Sequence, residues 1–457
     1  MKSSIPKVMH NVNGKPILSY IIDAGVSLHP VSLSVVIGHG SDMVEEYFKN
    51  KEINRSGKKI SFIEQKEQKG TGHAVAVAEK NYEGSNGVLL ILCGDTPLIS
   101  SDLLTEFADY YHRSSSDLAV LTLSLDDPTG YGRVVTDSSG NVAEIVEHKD
   151  ASAEQRKIKE VNSGIYIIRI DKCFQYLKKL DSDNIQGEYY LPDLIKIFNT
   201  EGLKVGKFQW NNPTDLLGIN NRKELANTDK ILRMRKMDKL MTNGVTIYDP
   251  DNTYIEEDVK IERDAIIYPG VVITGRSKIS EGCEIHHHSR LDNVIVGSGT
   301  VVHTLTSIVD SEIGENCSIG PYARLRPGNK IADKVKIGNF VEVKKAVIGM
   351  GSKASHLSYL GDAEIGENVN IGAGTITCNY DGWQKYRTVI KDGAFIGSNT
   401  EIVAPVVIGR GAVVGAGTTV TDDVPDDALA VSRTDQKNIE GWASKKRAKM
   451  KSKNKKK

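Results

Sequence analysis

From Ile255 to Val420 the large aliphatic positions recur at every sixth residue. Ile255, Ile261, Ile267, Ile273, Ile279, Ile285 and Leu291 keep that spacing. So do Ile313, Ile319, Leu325, Ile331, Ile337 and Val343, and again Ile390, Ile396, Ile402, Ile408, Val414 and Val420. Gly often follows the aliphatic residue (Gly320, Gly366, Gly409), and a small one sits four places on (Cys283, Ser289, Ala323, Thr375, Ala394, Thr400, Ala412). A period of six matches neither the helical repeat nor strand alternation. It fits a solenoid in which each repeat is one short strand and one corner. The aliphatic side chains then stack on their counterparts one coil away, with strands about 4.8 Å apart. Gly suits the corners, where φ can be positive.

Residues 1–220 carry a different pattern. Apolar runs predict strands at Val31–Ile37, Lys59–Glu64, Gly87–Cys93, Leu118–Ser124 and Val161–Ile168, and Ser41–Lys49 reads as a helix. Strands alternating with helices predict a mostly parallel sheet covered on both faces. Ligands bind such sheets beyond the carboxyl ends of the strands, which makes Asp95, just after Cys93-Gly94, a candidate for chemistry. Arg222–Asn243 has Leu225, Ile231, Leu232, Met234, Leu240 and Met241 near helical spacing and is closed by Gly244. The expected layout is an α/β domain over 1–221, a helical arm over 222–243, a solenoid over 244–440 and a tail over 441–457.

Length and composition agree with several domains: 457 residues, 39% of them hydrophobic. No apolar run approaches the roughly 20 residues a membrane span needs, and the first residues lack a signal-peptide core. The five cysteines are scattered, which points to a reducing cytoplasm and away from disulfides or a zinc site. The net charge of zero conceals an asymmetry. Residues 445–457 hold nine Lys/Arg and no acid, so the remainder has 50 basic against 59 acidic groups, a net of −9. That tail reads as disordered and solvated, with no specific nucleic-acid or membrane partner.

Short polar motifs accumulate through the first half. They are Ile5-Pro6-Lys7-Val8-Met9-His10, Gln65 with Gly70-Thr71-Gly72-His73-Ala74, Gly94-Asp95, and Gly130-Tyr131-Gly132-Arg133. Glu147-His148-Lys149, Asn162-Ser163-Gly164, Gly187-Glu188-Tyr189-Tyr190 and Asn220-Asn221-Arg222 complete the series. In this order, ahead of a hexapeptide solenoid, they resemble a bifunctional bacterial family over essentially the whole chain. That family fuses an N-acetylglucosamine-1-phosphate uridyltransferase to a glucosamine-1-phosphate acetyltransferase. The resemblance implies a Rossmann-like nucleotidyltransferase domain followed by a left-handed parallel β-helix; the hand comes from the resemblance, not from the spacing. It further implies that Lys7 contacts phosphate, and that Gln65, Gly70, Thr71 and Gly94 shape the nucleotide pocket. Asp95 and Asn220 would hold Mg²⁺, and Gly132, Glu147 and Asn162 would grip the sugar of UDP-N-acetylglucosamine. Mg²⁺ suits such a site, because it takes oxygen ligands and draws only one or two from the protein.

One departure stands out. The family opens with a buried strand and a loop of the type Leu-Ala-Ala-Gly-x-Gly-Thr-Arg-Met, and Met1 here matches the last residue of that motif. The expectation is therefore a truncated domain, with little or no uridyltransferase activity in the chain as written.

In the solenoid, chemistry gathers where the repeat is interrupted. Arg324-Leu325-Arg326-Pro327-Gly328 and Glu342-Val343-Lys344-Lys345 place cations on successive coils. Arg forks and Lys point charges suit a phosphate, here that of glucosamine-1-phosphate. The spacing slips at Ala354-Ser355-His356-Leu357-Ser358-Tyr359. His356 resembles the family's catalytic base, and an imidazole can accept a proton from an amine near neutrality. By the same resemblance Tyr359, Asn370, Asn379 and Tyr380 bind sugar or acetyl donor. The Ala373 N–H stabilises the oxyanion, and Ser398, Ala416 and Arg433 line the acetyl-CoA site. After Thr377 the period breaks and resumes at Ile390, so the intervening segment must leave the rod; in the family it reaches an adjoining subunit of a homotrimer. His286-His287-His288 lies within regular repeat, and its consecutive side chains point different ways, which argues against a metal site there.

The reading is a cytoplasmic enzyme that acetylates glucosamine-1-phosphate from acetyl-CoA and, with a complete N-terminal half, uses UTP to make UDP-N-acetylglucosamine for cell-wall synthesis. One alternative is another sugar-phosphate nucleotidylyltransferase fused to a different hexapeptide acyltransferase. The other is a non-catalytic regulatory scaffold of the same layout, for which His356, Arg326 and Lys344 would have no use.

Overall fold

The computed structural model describes residues 1–49, 60–432 and 435–454. Two compact units emerge, Met1–Arg233 and Met234–Lys457, and the division falls inside the helix Arg222–Thr242.

The first unit is built on a six-stranded sheet in the order Val205–Trp210, Leu118–Ser124, Glu160–Arg169, Arg133–Thr136, Val142–Val146, with Val88–Ile91 also on Glu160–Arg169. Leu118–Ser124 is buried on both faces, as a central strand flanked by helices must be. Ala119, Leu121 and Leu123 pack with Ile17, Leu103 and Phe107 on one side. Leu118 and Val120 pack with Phe174, Leu194 and Phe198 on the other. Helices Ile17–Ser27 and Ser101–Ser114 cover the first face, and Ile170–Leu177 and Leu194–Thr200 the second.

The expected mostly parallel sheet is corrected. Glu160–Arg169 runs antiparallel to three neighbours, and Arg133–Thr136 and Val142–Val146 form an antiparallel hairpin. In the hairpin the cause is the short turn, which cannot cross over to a parallel strand. In the hairpin turn Asp137 accepts from the N–H groups of Ser139 and Asn141, and Gly140 takes φ 83°. Parallel pairing survives in Val205–Trp210 with Leu118–Ser124, and in a separate pair, Leu33–Ile37 with Ile60–Glu64.

A bulge in the central pair sets up the site. Thr122 faces Asn162, while Val120 faces Tyr166, so three residues of one strand oppose Leu121 alone. Gly164 sits there at φ 78°, and a Cβ on it would lie 2.5 Å from the Cys93 sulfur. Asn162 and Tyr166, on either side of it, line one cavity.

The second unit is a rod of three parallel sheets with eleven, ten and nine strands. Each coil contributes one short strand to each sheet, and like stacks on like. Ile255, Ile273, Leu291, Ile308, Leu325, Val343 and Leu360 form one internal column. Ile261, Ile279, Val296, Ile313, Ile331, Ile348, Ile365, Ile390 and Ile408 form another. The six-residue count fails after Leu291 because one corner loses a residue: Ile279 pairs with Val296. Asn293, Asp310, Lys345 and Asp362 make these shorter corners with positive φ. Between Ile365 and its partner Ile390 the chain takes an excursion, residues 379–387, outside the strands. Its tip exposes 92% of Trp383.

The lysine-rich end, for which composition predicts no fixed structure, is helical over Trp442–Asn454, and its described side chains are exposed. No helix among the described residues is long and apolar enough to cross a membrane.

Candidate active sites

In the first unit a cavity of about 450 Å³ opens beside the ends of the central strands. Thr71, Asp95, Gly132, Glu147, Asn162 and Asn220 line it, so six of the expected residues meet in one place. Lys7 joins them through its ammonium, 2.5 Å from Asp95 Oδ2 and 3.1 Å from Asn220 Oδ1. Gln65 and Gly70 stand beside this wall, where Gln65 Nε2 donates to the Gly70 carbonyl at 3.2 Å. Gly70, at φ 102°, admits no side chain, because a Cβ would meet the Tyr189 carbonyl at 2.6 Å. Thr71 Oγ1 accepts from the Leu191 N–H at 3.0 Å. Gly94 allows Val8 to approach, 3.4 Å from where its Cβ would be.

Convergence of the Asp95 and Asn220 oxygens on one ammonium is the test of the expected metal site. Two hard oxygen donors share a single cationic point, and a Mg²⁺ ion needs only that from the protein when phosphate oxygens and water complete its shell. The residues fit. Among the described residues no group of three or more His, Cys, Asp or Glu forms a metal cage. His286 Nε2 instead donates to Glu284 Oε2 at 3.1 Å, and the ring packs edge-on to His303, with ring centroids 5.3 Å apart.

Glu147 lines the cavity beside Gly132 and Asn162. Burial raises its pKa above the ordinary glutamate value, as do Asp150 and Asp193, and Arg133 opposes them. Gly132 makes room for it: a Cβ there would stand 3.1 Å from Glu147 Oε1. Arg133 is fully buried without a carboxylate contact. Its guanidinium donates to the Tyr131 and Arg156 carbonyls and meets His148 Nδ1 at 3.3 Å. It thereby fastens the Gly130–Gly132 loop, a role the motif alone did not disclose.

In the rod, His356 ends the strand Lys353–His356 with its ring exposed. Asn339 is its partner one coil back, and Asn339 Oδ1 lies 2.7 Å from His356 Nδ1. With Nδ1–H donating to that oxygen, Nε2 carries the lone pair and faces outward. Extending the registers Ala354↔Ile371, Ile371↔Ile396 and Ile396↔Val414 by two residues puts Ala373, Ser398 and Ala416 in the same column as His356. Three coil steps at about 4.8 Å give a track of about 14 Å running away from the imidazole. Arg433 lies outside the described residues.

The cations occupy the next face. Lys344 is in register with Gly361, on the coil of His356 and Tyr359, and Arg326 is one coil below Lys344. Glu342 pairs with Arg326 at 3.1 Å and with Arg324 at 3.6 Å. Contact with Lys385, loss of hydration and the nearby Arg326 push the Lys344 ammonium below the ordinary lysine value, and Asp362 pulls it back. Lys385 belongs to the excursion, where the hexapeptide pattern gives no guidance. Cations held this close are arranged for an anion.

Three expected residues do not reach His356 within one chain. Asn370 aligns with Lys353, three residues and about 10 Å back along the strand. Asn379 and Tyr380 leave from the opposite edge of the cation face. Asn379 Nδ2 donates to Asp362 Oδ2 at 2.5 Å, and Tyr380 Oη to the Gly382 carbonyl. The corner next to His356 carries Leu305, Tyr322, Phe340 and Leu357, all with positive φ and all 44–61% exposed. The rings of Tyr322 and Phe340 stack at 5.3 Å.

Comparison with known proteins agrees with this architecture. Residues 2–211 match the nucleotidyl transferase family, 250–348 the GMPPB C-terminal domain, and 387–422 the bacterial transferase hexapeptide repeats. The chain is 45% identical to the bifunctional protein GlmU of Halalkalibacterium halodurans, over 98% of this chain and 96% of that one. It is 46% identical to the GlmU of Caldanaerobacter subterraneus, over 97% and 94% of the two chains. For the GlmU of Clostridioides difficile the identity is 45%, over 98% and 96%.

Proposed function

The chain belongs to the GlmU family of bifunctional enzymes, and from that premise we propose which of its residues carry each of the two transfers. It is an acetyltransferase and uridyltransferase of UDP-N-acetylglucosamine synthesis.

Glucosamine-1-phosphate docks by its phosphate on Arg326, Lys344 and Lys385, and Tyr359 together with a neighbouring copy's Asn370 binds the sugar. Its neutral amine attacks the thioester carbonyl of acetyl-CoA. The new C–N bond forms as the carbonyl electrons move to oxygen, where the Ala373 N–H receives the charge. His356 Nε2 takes the amine proton, and Asn339 holds the ring in the tautomer that can do so. Collapse expels the CoA thiolate and leaves the amide. The Ala373–Ser398–Ala416 track carries the donor's extended arm, and Arg433 is a further acetyl-CoA-binding residue. Asn379 and Tyr380 complete the donor site from a neighbouring copy. The exposed apolar corner Leu305–Leu357 beside His356, and an excursion leaving the far edge of the adjacent face, support a homotrimer; sedimentation at three times the chain mass tests it.

In the first unit Asp95 and Asn220 hold Mg²⁺, which when bound neutralises charge on the triphosphate. Lys7 binds phosphate, Gln65, Gly70 and Thr71 shape the nucleotide end, and Gly132, Glu147 and Asn162 hold N-acetylglucosamine-1-phosphate for attack on UTP. Substrates of this kind belong to the cytoplasm. The observation that carries the assignment is the His356–Asn339 pair at the foot of the Ala373–Ser398–Ala416 column. Incubation with glucosamine-1-phosphate, acetyl-CoA, UTP and Mg²⁺ tests the whole reading. It requires free CoA from the first transfer; pyrophosphate and UDP-N-acetylglucosamine from the second would overturn the expectation of little or no uridyl transfer, and acetylation of a different amino sugar in preference would refute the assigned substrate.

A further inference from the structure

Tyr166 has one foot in the core and one in the cavity. Its ring packs among Leu118, Val120, Phe174 and Leu194, and the residue is 2% exposed. It also lines the cavity that holds Glu147 and Asn162. Its Oη is buried and makes no hydrogen bond of ordinary length and angle; the Asn162 side chain is its polar neighbour, and its O–H is not donated to any described group. A buried hydroxyl without a partner is uncommon enough to require an explanation. Asn162 and Tyr166 stand four residues apart on one strand, so both face the same wall.

The wall's hydrogen-bonding character comes from what is already committed. Asn162 Oδ1 accepts from the Gly164 N–H at 2.9 Å, so its amide N–H groups are what it can offer a ligand. Glu147 offers carboxylate oxygens. Burial drives the Tyr166 phenol well above its usual pKa, with Asn162 opposing and Glu147, Cys93 and Asp193 adding to the rise. The phenol therefore stays protonated and presents a donor. Two donors and an acceptor in a half-apolar cavity suit a neutral sugar with hydroxyl and amide groups. Asp95 and Asn220, of the same cavity, are tied to each other through the Lys7 ammonium.

We propose that Tyr166 Oη donates a hydrogen bond to an oxygen of the hexosamine bound in this cavity, making Tyr166 a specificity-determining residue for the sugar half of the nucleotide. This rests on the reading of the cavity as the sugar-nucleotide site. A site built to hydrogen-bond a substrate group loses affinity sharply when that bond cannot form.

The test is Tyr166→Phe in the full chain, with calorimetric titration of UDP-N-acetylglucosamine and, separately, of UTP, each with Mg²⁺. The expected result is a loss of about fivefold or more in affinity for UDP-N-acetylglucosamine and UTP binding within about twofold of wild type. The thermal midpoint of the ligand-free variant should equal or exceed wild type, since only an orphaned hydroxyl is removed. UDP-N-acetylglucosamine affinity within twofold of wild type, or an equal loss for UTP, would overturn the proposal while leaving the site assignment standing. Failure of the wild-type protein to bind UDP-N-acetylglucosamine would overturn the site assignment itself, and the proposal with it.

Discussion

Replacing His356 by Ala removes the imidazole at the foot of the donor track, and Asn339→Ala removes what orients it. The two losses should differ in a calculable way. A positioned general base contributes about 10²–10⁴-fold, so His356→Ala should raise the acetyl-transfer barrier by about 3–5 kcal/mol. Asn339 acts at one remove, through a single 2.7 Å hydrogen bond. A bond of that kind is worth about 1–1.5 kcal/mol, which corresponds to roughly a five- to tenfold loss in kcat. His356 is exposed and lies outside the buried aliphatic columns, so neither variant should lower the thermal midpoint appreciably. The assay is release of free thiol from acetyl-CoA with saturating glucosamine-1-phosphate. KM for the sugar phosphate should change little, because its grip lies on Arg326, Lys344 and Lys385. Asn339→Ala combined with His356→Ala should be no worse than His356→Ala alone, since the asparagine has nothing left to orient. A His356→Ala enzyme retaining more than a tenth of wild-type kcat, or additive losses in the double variant, would refute the assignment.

Other consequences rest on single contacts. Lys385→Ala should raise KM for glucosamine-1-phosphate about tenfold by removing a charge-assisted contact, with a smaller change in kcat; steady-state kinetics at two salt concentrations reads it. Lys7 shares its ammonium between the two expected metal ligands, so Lys7→Met should strengthen Mn²⁺ binding to the nucleotide-free protein by about three- to fivefold, and Asp95→Asn should abolish it; electron paramagnetic resonance of free Mn²⁺ distinguishes these from no effect. Burial, with Asp181 adding, lifts Asp193 to about 6, above its ordinary 3.8. The native state therefore favours the protonated form, and its stability falls as pH rises from about 4 through 6. Asp193→Asn should remove that loss, adding about 1–2 kcal/mol at pH 8 after allowance for partial solvent screening and nothing near pH 4; chemical denaturation at both pH values checks it.

The rod was legible in the sequence because its core is one-dimensional: each aliphatic residue answers to the one a coil away, so Ile255 and Ile273 announce themselves by spacing alone. The shortened corners were not, since Asn293 and Asp310 adopt positive φ without the Gly that would signal it. The α/β half was readable where strands are buried on both faces, as at Leu118–Ser124. The antiparallel course of Glu160–Arg169 was hidden, because apolar runs carry no direction. Lone polar residues in recognisable motifs, such as Asp95, Glu147 and Asn220, came together in space as their order suggested. Asn339, Lys385 and Tyr166 escaped notice for separate reasons. Asn339 matters only through a neighbour seventeen residues on, Lys385 lies where the repeat is suspended, and Tyr166 looks like any core aromatic until its hydroxyl is found without a partner.

The most direct test of the account is a crystal structure of the protein with CoA and glucosamine-1-phosphate bound. The sulfur should lie beside Ala373, near His356 Nε2, with the nucleotide end toward Ala416 and the sugar phosphate on Arg326 and Lys344. CoA bound away from this edge of the rod, or running with its sulfur at the Ala416 end, would contradict it.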